Sequence, residues 1–202
     1  NDKYKDFKLE IEYFINAMNK VKKSGKKFGV AIDNRTFISN LNENGIDFFK
    51  VLSKDLNNYK LLDSLFDDSN KPIFISTGMS NLKEIEDMID RYSSLKSRII
   101  LVHTQLSHIV NDINFEAINV LRERFNMKVA FGFHCSNHNA IYMSLAYNPE
   151  SIFFYIKNND ENEYPDDKHA ICLDSVSKLV DNLLELPLAN GLGKKIKMEN
   201  WA

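Results

Sequence analysis

Six short, nearly unbroken apolar runs punctuate the chain, at residues 28–32, 48–52, 72–76, 99–103, 129–133 and 151–156. They show little alternation of polar and apolar positions. That pattern predicts strands covered on both faces, as in a parallel sheet. Between the runs the apolar positions fall three and four apart. Ile11, Phe14, Ile15, Met18 and Val21 form one such stripe, and Gly25 after it suits a left-handed C-terminal cap. Leu82, Ile85, Ile89 and Tyr92 form a second, opened by Asn81 with Glu84 three residues on, the pattern of a capping box. Phe115, Ile118, Leu121 and Phe125 form a third. Val176, Leu179, Val180 and Leu183 form a fourth, which Pro187 ends.

Strand and helix thus alternate, one unit about every 20–30 residues, which predicts an α/β fold built on a parallel sheet. The leading architecture is a TIM-barrel-type (βα) fold with six units visible. A full eight-unit barrel takes about 250 residues, and this chain of 202 opens on a helix. The first two units of a barrel therefore have no counterpart here. An open doubly wound sheet is the alternative. No internal boundary interrupts residues 1–190, which read as one domain. Residues 191–202, beginning Gly191-Leu192-Gly193, read as a tail or the start of a linker. The chain starts at Asn1, as a fragment or processed form would.

Composition narrows the setting. Hydrophobic residues make up 44% and charged residues 27%, with a net charge of −2. Such a balance gives no general attraction to nucleic acid or acidic membranes. No apolar run has the length of a membrane span and no signal peptide is visible. Cys135 and Cys172 form neither a close-spaced metal motif nor a disulfide framework, so a cytoplasmic location is expected.

Ligands of parallel α/β folds bind beyond the C-terminal ends of the strands. Lys50 there sits inside an apolar run, and a buried ammonium is costly without a partner. It reads as a cation for a phosphate or carboxylate, or as a Schiff-base amine. The alternatives are an edge lysine that snorkels to water or one paired with Asp55. Ser76-Thr77-Gly78 lie between a strand and a helix N-terminus, which reads as an anion cradle or as a plain turn in which Gly78 supplies a positive φ. His134, Cys135 and His138 read as a weak metal set or a hydrogen-bonded loop. His103 reads as a core histidine. Residues 165–169 read as a solvated loop or as a carboxylate hanging over the barrel mouth.

Four stretches together resemble the sialic acid synthase family: KPIFISTGMSNLKEIEDMI (71–89), FFKVLSKDLNNYKLLDSL (48–65), IILVHTQ (99–105) and YPDDKHAICLD (164–174). The resemblance runs from about residue 10 to about residue 185. It implies condensation of phosphoenolpyruvate with an N-acylated amino sugar or its phosphate to a nonulosonic acid, in surface-carbohydrate biosynthesis, with Mn²⁺ or Mg²⁺ as Lewis acid. It assigns Lys50 and Asp55 to catalysis. Ser53, Ser76, Thr77 and Gly78 would bind phosphoenolpyruvate, and Asp166 the sugar hydroxyls. His138, within Ser136-Asn137-His138-Asn139, would be a metal ligand. A homodimer is also implied.

The departures are specific. The family's phosphate-binding Thr has no equivalent at Val30-Ala31-Ile32-Asp33. Its second metal histidine falls among Phe154-Tyr155-Ile156-Lys157. An Asn and a Tyr of the family fall at Leu106 and His108. The first two units and a C-terminal antifreeze-like domain have no counterpart. Two expectations follow: an active synthase, or a catalytically degenerate relative that binds a sugar phosphate or a protein.

Overall fold

The computed structural model describes residues 9–160, 162–163, 166–191 and 193–194. Helix α1 (Ile11–Lys23) leads into β1 (Gly29–Ile32), and α2 (Ile38–Glu43) connects it to β2 (Phe48–Val51). Next come α3 (Tyr59–Asp67), β3 (Ile73–Ser76), α4 (Leu82–Arg91), β4 (Ile99–Thr104), α5 (Glu116–Phe125), β5 (Val129–Gly132), α6 (Asn139–Met143) and β6 (Ile152–Phe153). Short strands β7 (Ile156–Lys157) and β8 (Ile171–Cys172) pair with each other before α7 (Leu173–Glu185).

All six main strands are parallel, and each pairs with the next in the chain, in the order β1-β2-β3-β4-β5-β6. The order never reverses, which sets aside the doubly wound alternative. Outward-facing Val30, Ile32, Phe49, Val51, Ile73, Ile75, Leu101 and Phe131 form one core with apolar helix residues such as Leu62, Leu65, Met88 and Ile118. Inward-facing Phe74, Ile100, Val102 and Ala130 form a second, smaller cluster against Phe48 and Phe153.

That inner cluster shows the curvature. Phe48 and Phe153 lie on strands four places apart, which in a flat sheet is about 19 Å. Their ring centroids are 6.4 Å apart, and Phe74 sits against both, at 5.2 Å and 5.1 Å. The sheet is thus curled into a half-barrel that β1 and β6 leave unclosed among the described residues. Gly29 permits this packing, because a Cβ there would lie 2.2 Å from the Phe48 ring.

Local chemistry accounts for most of the elements. Asn81 and Glu84 form the predicted capping box at α4, and Gly25 adopts a φ of 73° after α1. Asn58 caps α3 by accepting the Leu61 N–H. Two expectations need correction. The run 151–156 is not one strand: it breaks after Phe153, and Ile156–Lys157 leaves the barrel sheet to pair with Ile171–Cys172. Helices α2, α3 and α6 were also not predicted as elements; α2 and α6 have only six and five residues, too few to display a period. Pro165, Leu192 and residues 195–202 lie outside the described residues, so most of the expected tail does too. Among the described residues no helix is long and apolar enough to cross a membrane.

Candidate functional site

The C-terminal ends of the strands deliver a coherent set of side chains. Lys50 of β2, Ser76 of β3, Thr104 of β4, His134 beyond β5 and Phe153 of β6 line one cavity of about 180 Å³, together with Tyr155 and Ala31. The period of two along each strand explains the set. Lys50 is in register with Ala31 and Phe74, both inward-facing, while Phe49 and Val51 pack outward.

No acidic side chain among the described residues pairs with Lys50. Its Nζ lies 5.7 Å from the Phe153 ring centroid, and burial pulls its pKa below the usual lysine value. Ser76 Oγ and Thr104 Oγ1 are buried and have no hydrogen-bond partner among the described residues. An unpaired buried hydroxyl costs about 1–3 kcal/mol. One cationic donor and two hydroxyl donors therefore line one cavity, with no hydrogen-bond partner for any of them among the described residues.

The neighbouring candidates play supporting parts. Asp55 is buried in the turn Ser53–Asp55 and accepts hydrogen bonds from Lys54 Nζ at 2.5 Å and Asn58 Nδ2 at 3.1 Å. It is committed to those partners and does not line the Lys50 cavity, so the alternative pairing with Lys50 is overturned. The Thr77 hydroxyl and N–H both donate to the Val102 carbonyl, each at 3.1 Å, which fastens the exit of β3 to β4. Gly78 does not have a positive φ, contrary to the turn reading. It is glycine for space: a Cβ would lie 2.8 Å from the Thr104 carbonyl oxygen and 3.1 Å from Ser53 Oγ. Ser53 and Thr104 are thereby drawn together around it.

The start of α4 is a poor anion seat. Asn81 Oδ1 accepts the Glu84 N–H at 3.0 Å, and the Glu84 carboxylate accepts the Asn81 N–H at 2.8 Å. The helix end already holds a carboxylate. A second cavity of about 310 Å³ lies between α4 and α5, with Leu82, Val120 and Glu116 on its walls. Thr77, Gly78 and Thr104 also line it, but Lys50 does not, and no lysine or arginine does so among the described residues.

The histidines separate into two groups. His103 is a core residue, as expected: it is buried, its Nε2 donates to the Ile113 carbonyl at 2.8 Å, and burial lowers its pKa. His108, His134 and His169 gather with Tyr155 on the far side of the Lys50 cavity. The His169 ring lies 4.8 Å from His134, 5.2 Å from His108 and 4.8 Å from Tyr155, centroid to centroid. Burial, reinforced by His169, Lys50 and His108, pushes His134 down to about 4. His138 is exposed at the start of α6, its ring edge against Phe133.

The 134–138 segment follows the loop reading. Ser136 N–H and Oγ both donate to the His108 carbonyl, and Asn137 N–H donates to Cys135 Sγ. Among the described residues, no three His, Cys, Asp or Glu side chains are placed to hold a metal ion. Asp166 is half-buried with a carboxylate oxygen 3.7 Å from His169 Nε2, and Lys157 pairs with Asp167 at 2.9 Å to tie down the same loop. Thr104, Tyr155 and His169 were not among the site residues expected from the sequence. Tyr155 stood within the stretch aligned with a family ligand, which was a usable signal.

A family model describing the NeuB family matches residues 1–195. The chain belongs to the NeuB family. Among NeuB relatives, a protein of Methanocaldococcus jannaschii named only as uncharacterised is 29% identical over 200 residues, 96% of this chain and 58% of that protein. The N,N′-diacetyllegionaminic acid synthase of Campylobacter jejuni is 30% identical over 148 residues, 69% of this chain and 42% of the relative. The chain thus spans about half the length of the curated relatives it matches. The crystal structure of an N-acetylneuraminic acid (sialic acid) synthetase from Leptospira borgpetersenii serovar Hardjo-bovis, in complex with citrate, superposes with a TM-score of 0.83 at 21% identity. It covers 95% of this chain and 68% of that one. That likeness shows the TIM-barrel-like fold.

Proposed function

We propose that this NeuB-family chain binds phosphoenolpyruvate at the Lys50 cavity and contributes to its condensation with an N-acylated amino sugar, or the sugar phosphate, to a nonulosonic acid. One observation supports the reading: the Lys50 ammonium and the Ser76 and Thr104 hydroxyls surround a single cavity without hydrogen-bond partners among the described residues. A ligand that accepts three hydrogen bonds and bears negative charge satisfies all three at once. Phosphoenolpyruvate has such groups in its phosphate and carboxylate. In the reaction, C3 of phosphoenolpyruvate bonds to the sugar aldehyde carbon, water adds at C2, and inorganic phosphate leaves. Lys50 holds the anion, Ser76 and Thr104 orient it, and Ser53 with Gly78 keep Thr104 in place. Asp166 faces the sugar side of the mouth.

A second reading is binding without turnover. It is favoured by the lack, among the described residues, of a side-chain group placed to hold the family's divalent ion. Calorimetry with phosphoenolpyruvate and phosphate release in the presence of N-acetylated hexosamines and Mn²⁺ separate the two. Stoichiometric binding with phosphate release supports the synthase, and binding with no release supports the binding module. No binding, or binding unchanged by Lys50→Met, sinks both. Labelling of Lys50 by borohydride with a keto acid would instead point to Schiff-base chemistry.

A further inference from the structure

Four buried side-chain polar atoms have no hydrogen-bond partner among the described residues, and all four are at this mouth: Ser76 Oγ, Thr104 Oγ1, and both ring nitrogens of His169. The Lys50 cavity accounts for the first two. His169 is 3% exposed, so its ring is withdrawn from water with both nitrogens unsatisfied, an arrangement that native proteins rarely tolerate without a ligand. Its Nε2 is 3.7 Å from the Asp166 carboxylate, too long for a hydrogen bond.

Three rings fix His169 in place. His134 and Tyr155 both line the Lys50 cavity, and each ring centroid is 4.8 Å from that of His169. His108 stacks on it at an interplanar angle of 28°. The tautomer of His108 is also set. Its Nδ1 lies 2.8 Å from the His134 carbonyl oxygen and must carry a proton. The imidazole group is therefore contiguous with the anion cavity and has free donor and acceptor capacity.

The same residues fit a resident divalent cation poorly. His138 is exposed, with its ring edge on Phe133 and no ring contact with His108, His134 or His169 among the described residues. Tyr155 occupies the stretch where the resemblance places the second ligand, and burial raises its pKa, which keeps it a neutral phenol. Mn²⁺ and Mg²⁺ favour carboxylate and water oxygens, whereas this cluster offers three imidazoles and one carboxylate, that of Asp166. The nitrogens are held neutral: His134 titrates at about 4, and burial lowers His169 as well. A neutral imidazole presents one N–H and one lone pair, the complement of a hydroxyl or carbonyl oxygen on an uncharged polyol.

We propose that His169 and His134, with His108 stacked on His169, form a metal-free subsite that hydrogen-bonds the oxygen atoms of a polyhydroxy second ligand beside the anion at Lys50. This rests on the functional reading above and names which of the chain's own residues take the sugar.

The test is calorimetry on the full chain with N-acetylmannosamine, in buffer saturated with phosphoenolpyruvate, with EDTA and separately with added Mn²⁺. Sugar binding is expected to persist in EDTA and to be unchanged by Mn²⁺. His169→Phe keeps the aromatic packing, and His134→Asn acts at a partly exposed ring. Each is expected to weaken sugar binding at least tenfold, and His169→Phe, which does not line the Lys50 cavity, to leave phosphoenolpyruvate affinity within twofold. Binding that is lost in EDTA and restored by Mn²⁺ overturns the proposal. So does no measurable sugar binding, or sugar affinity unchanged in both variants. Should His169→Phe not fold, His134→Asn alone decides. Loss of phosphoenolpyruvate binding in the unmodified protein would instead refute the Lys50 reading, so the two failures are distinguishable.

Discussion

Lys50→Met should invert the order of two melting curves. In the unliganded protein, Lys50 has no acidic partner among the described residues, and its burial disfavours the charged form. Methionine fills a similar volume with no charge to desolvate. Its substitution forfeits the contact of the ammonium with Phe153, about 0.5–1 kcal/mol at most. Removing an unpaired, desolvated charge commonly adds about 0.5–2 kcal/mol, so the net expectation is a gain of about 0.5 kcal/mol. In a domain of this length that corresponds to about 1–2 °C in Tm. With ligand the balance reverses. A ligand at one hundred times its Kd stabilises the native state by about 2.7 kcal/mol, and the variant should forgo nearly all of it. Thermal melts with and without phosphoenolpyruvate read both effects on one sample. The variant should melt above the parent when free and below it when phosphoenolpyruvate is saturating. A free variant destabilised by more than 1 kcal/mol would show that Lys50 has a structural partner. An undiminished ligand shift would show that the cavity is not the anion site.

Three further outcomes are expected. Gly78→Ala places a Cβ 2.8 Å from the Thr104 carbonyl, so it should cost about 1–3 kcal/mol in urea melts and weaken phosphoenolpyruvate binding, because Thr104 must move. Arg98→Met removes guanidinium hydrogen bonds to the carbonyls of Leu65, Phe66, Ser69 and Lys71, and should cost about 2–4 kcal/mol while leaving ligand affinity alone. Stability should also fall on acidification. His134 is held down to about 4 and burial lowers His103 and His169, whereas unfolded histidine titrates near 6.5. Below about pH 6.5 the unfolded chain binds protons that the folded chain refuses. The contribution is whole above that pH and is lost progressively towards pH 4, by up to about 1.4 kcal/mol per pH unit for each histidine. Urea midpoints that coincide at pH 7.5 and pH 5 would contradict this.

The sheet was legible because its strands are buried on both faces, so unbroken apolar runs mark them with little ambiguity. Lys50 was legible for the same reason, as a charge interrupting such a run. Ser76, Thr77 and Gly78 could be placed, but their division of labour could not. Only the close approach of Thr104 shows that Gly78 is present for space, and only the Val102 carbonyl shows that the Thr77 hydroxyl is occupied. Asp55 looked like a partner for Lys50 because sequence records proximity and not direction; Lys54 and Asn58 take its carboxylate instead. The break after Phe153 was invisible, since Phe154-Tyr155-Ile156 continue an apolar pattern. What turns Tyr155 aside is its contact with His134 and His169, which lie far from one another in sequence. His169 itself looked like a surface loop residue, and its burial depends wholly on those distant rings.

The strictly sequential order of the strands has a kinetic side. Each main strand pairs only with its immediate neighbours in the chain, so every ladder can close after one helical connection has been made. The inner aromatic contacts of β6 with β2 and β3 are exceptions that must wait for the whole array. Such an array can condense unit by unit from any starting point, much as a repeat protein does, with stability accumulating across successive interfaces. It also tolerates growth or loss of a unit at either end of the sheet, because no internal ladder is broken. The polar mouth, by contrast, draws on β2 through β6 together, and is assembled only in the last step of that progression.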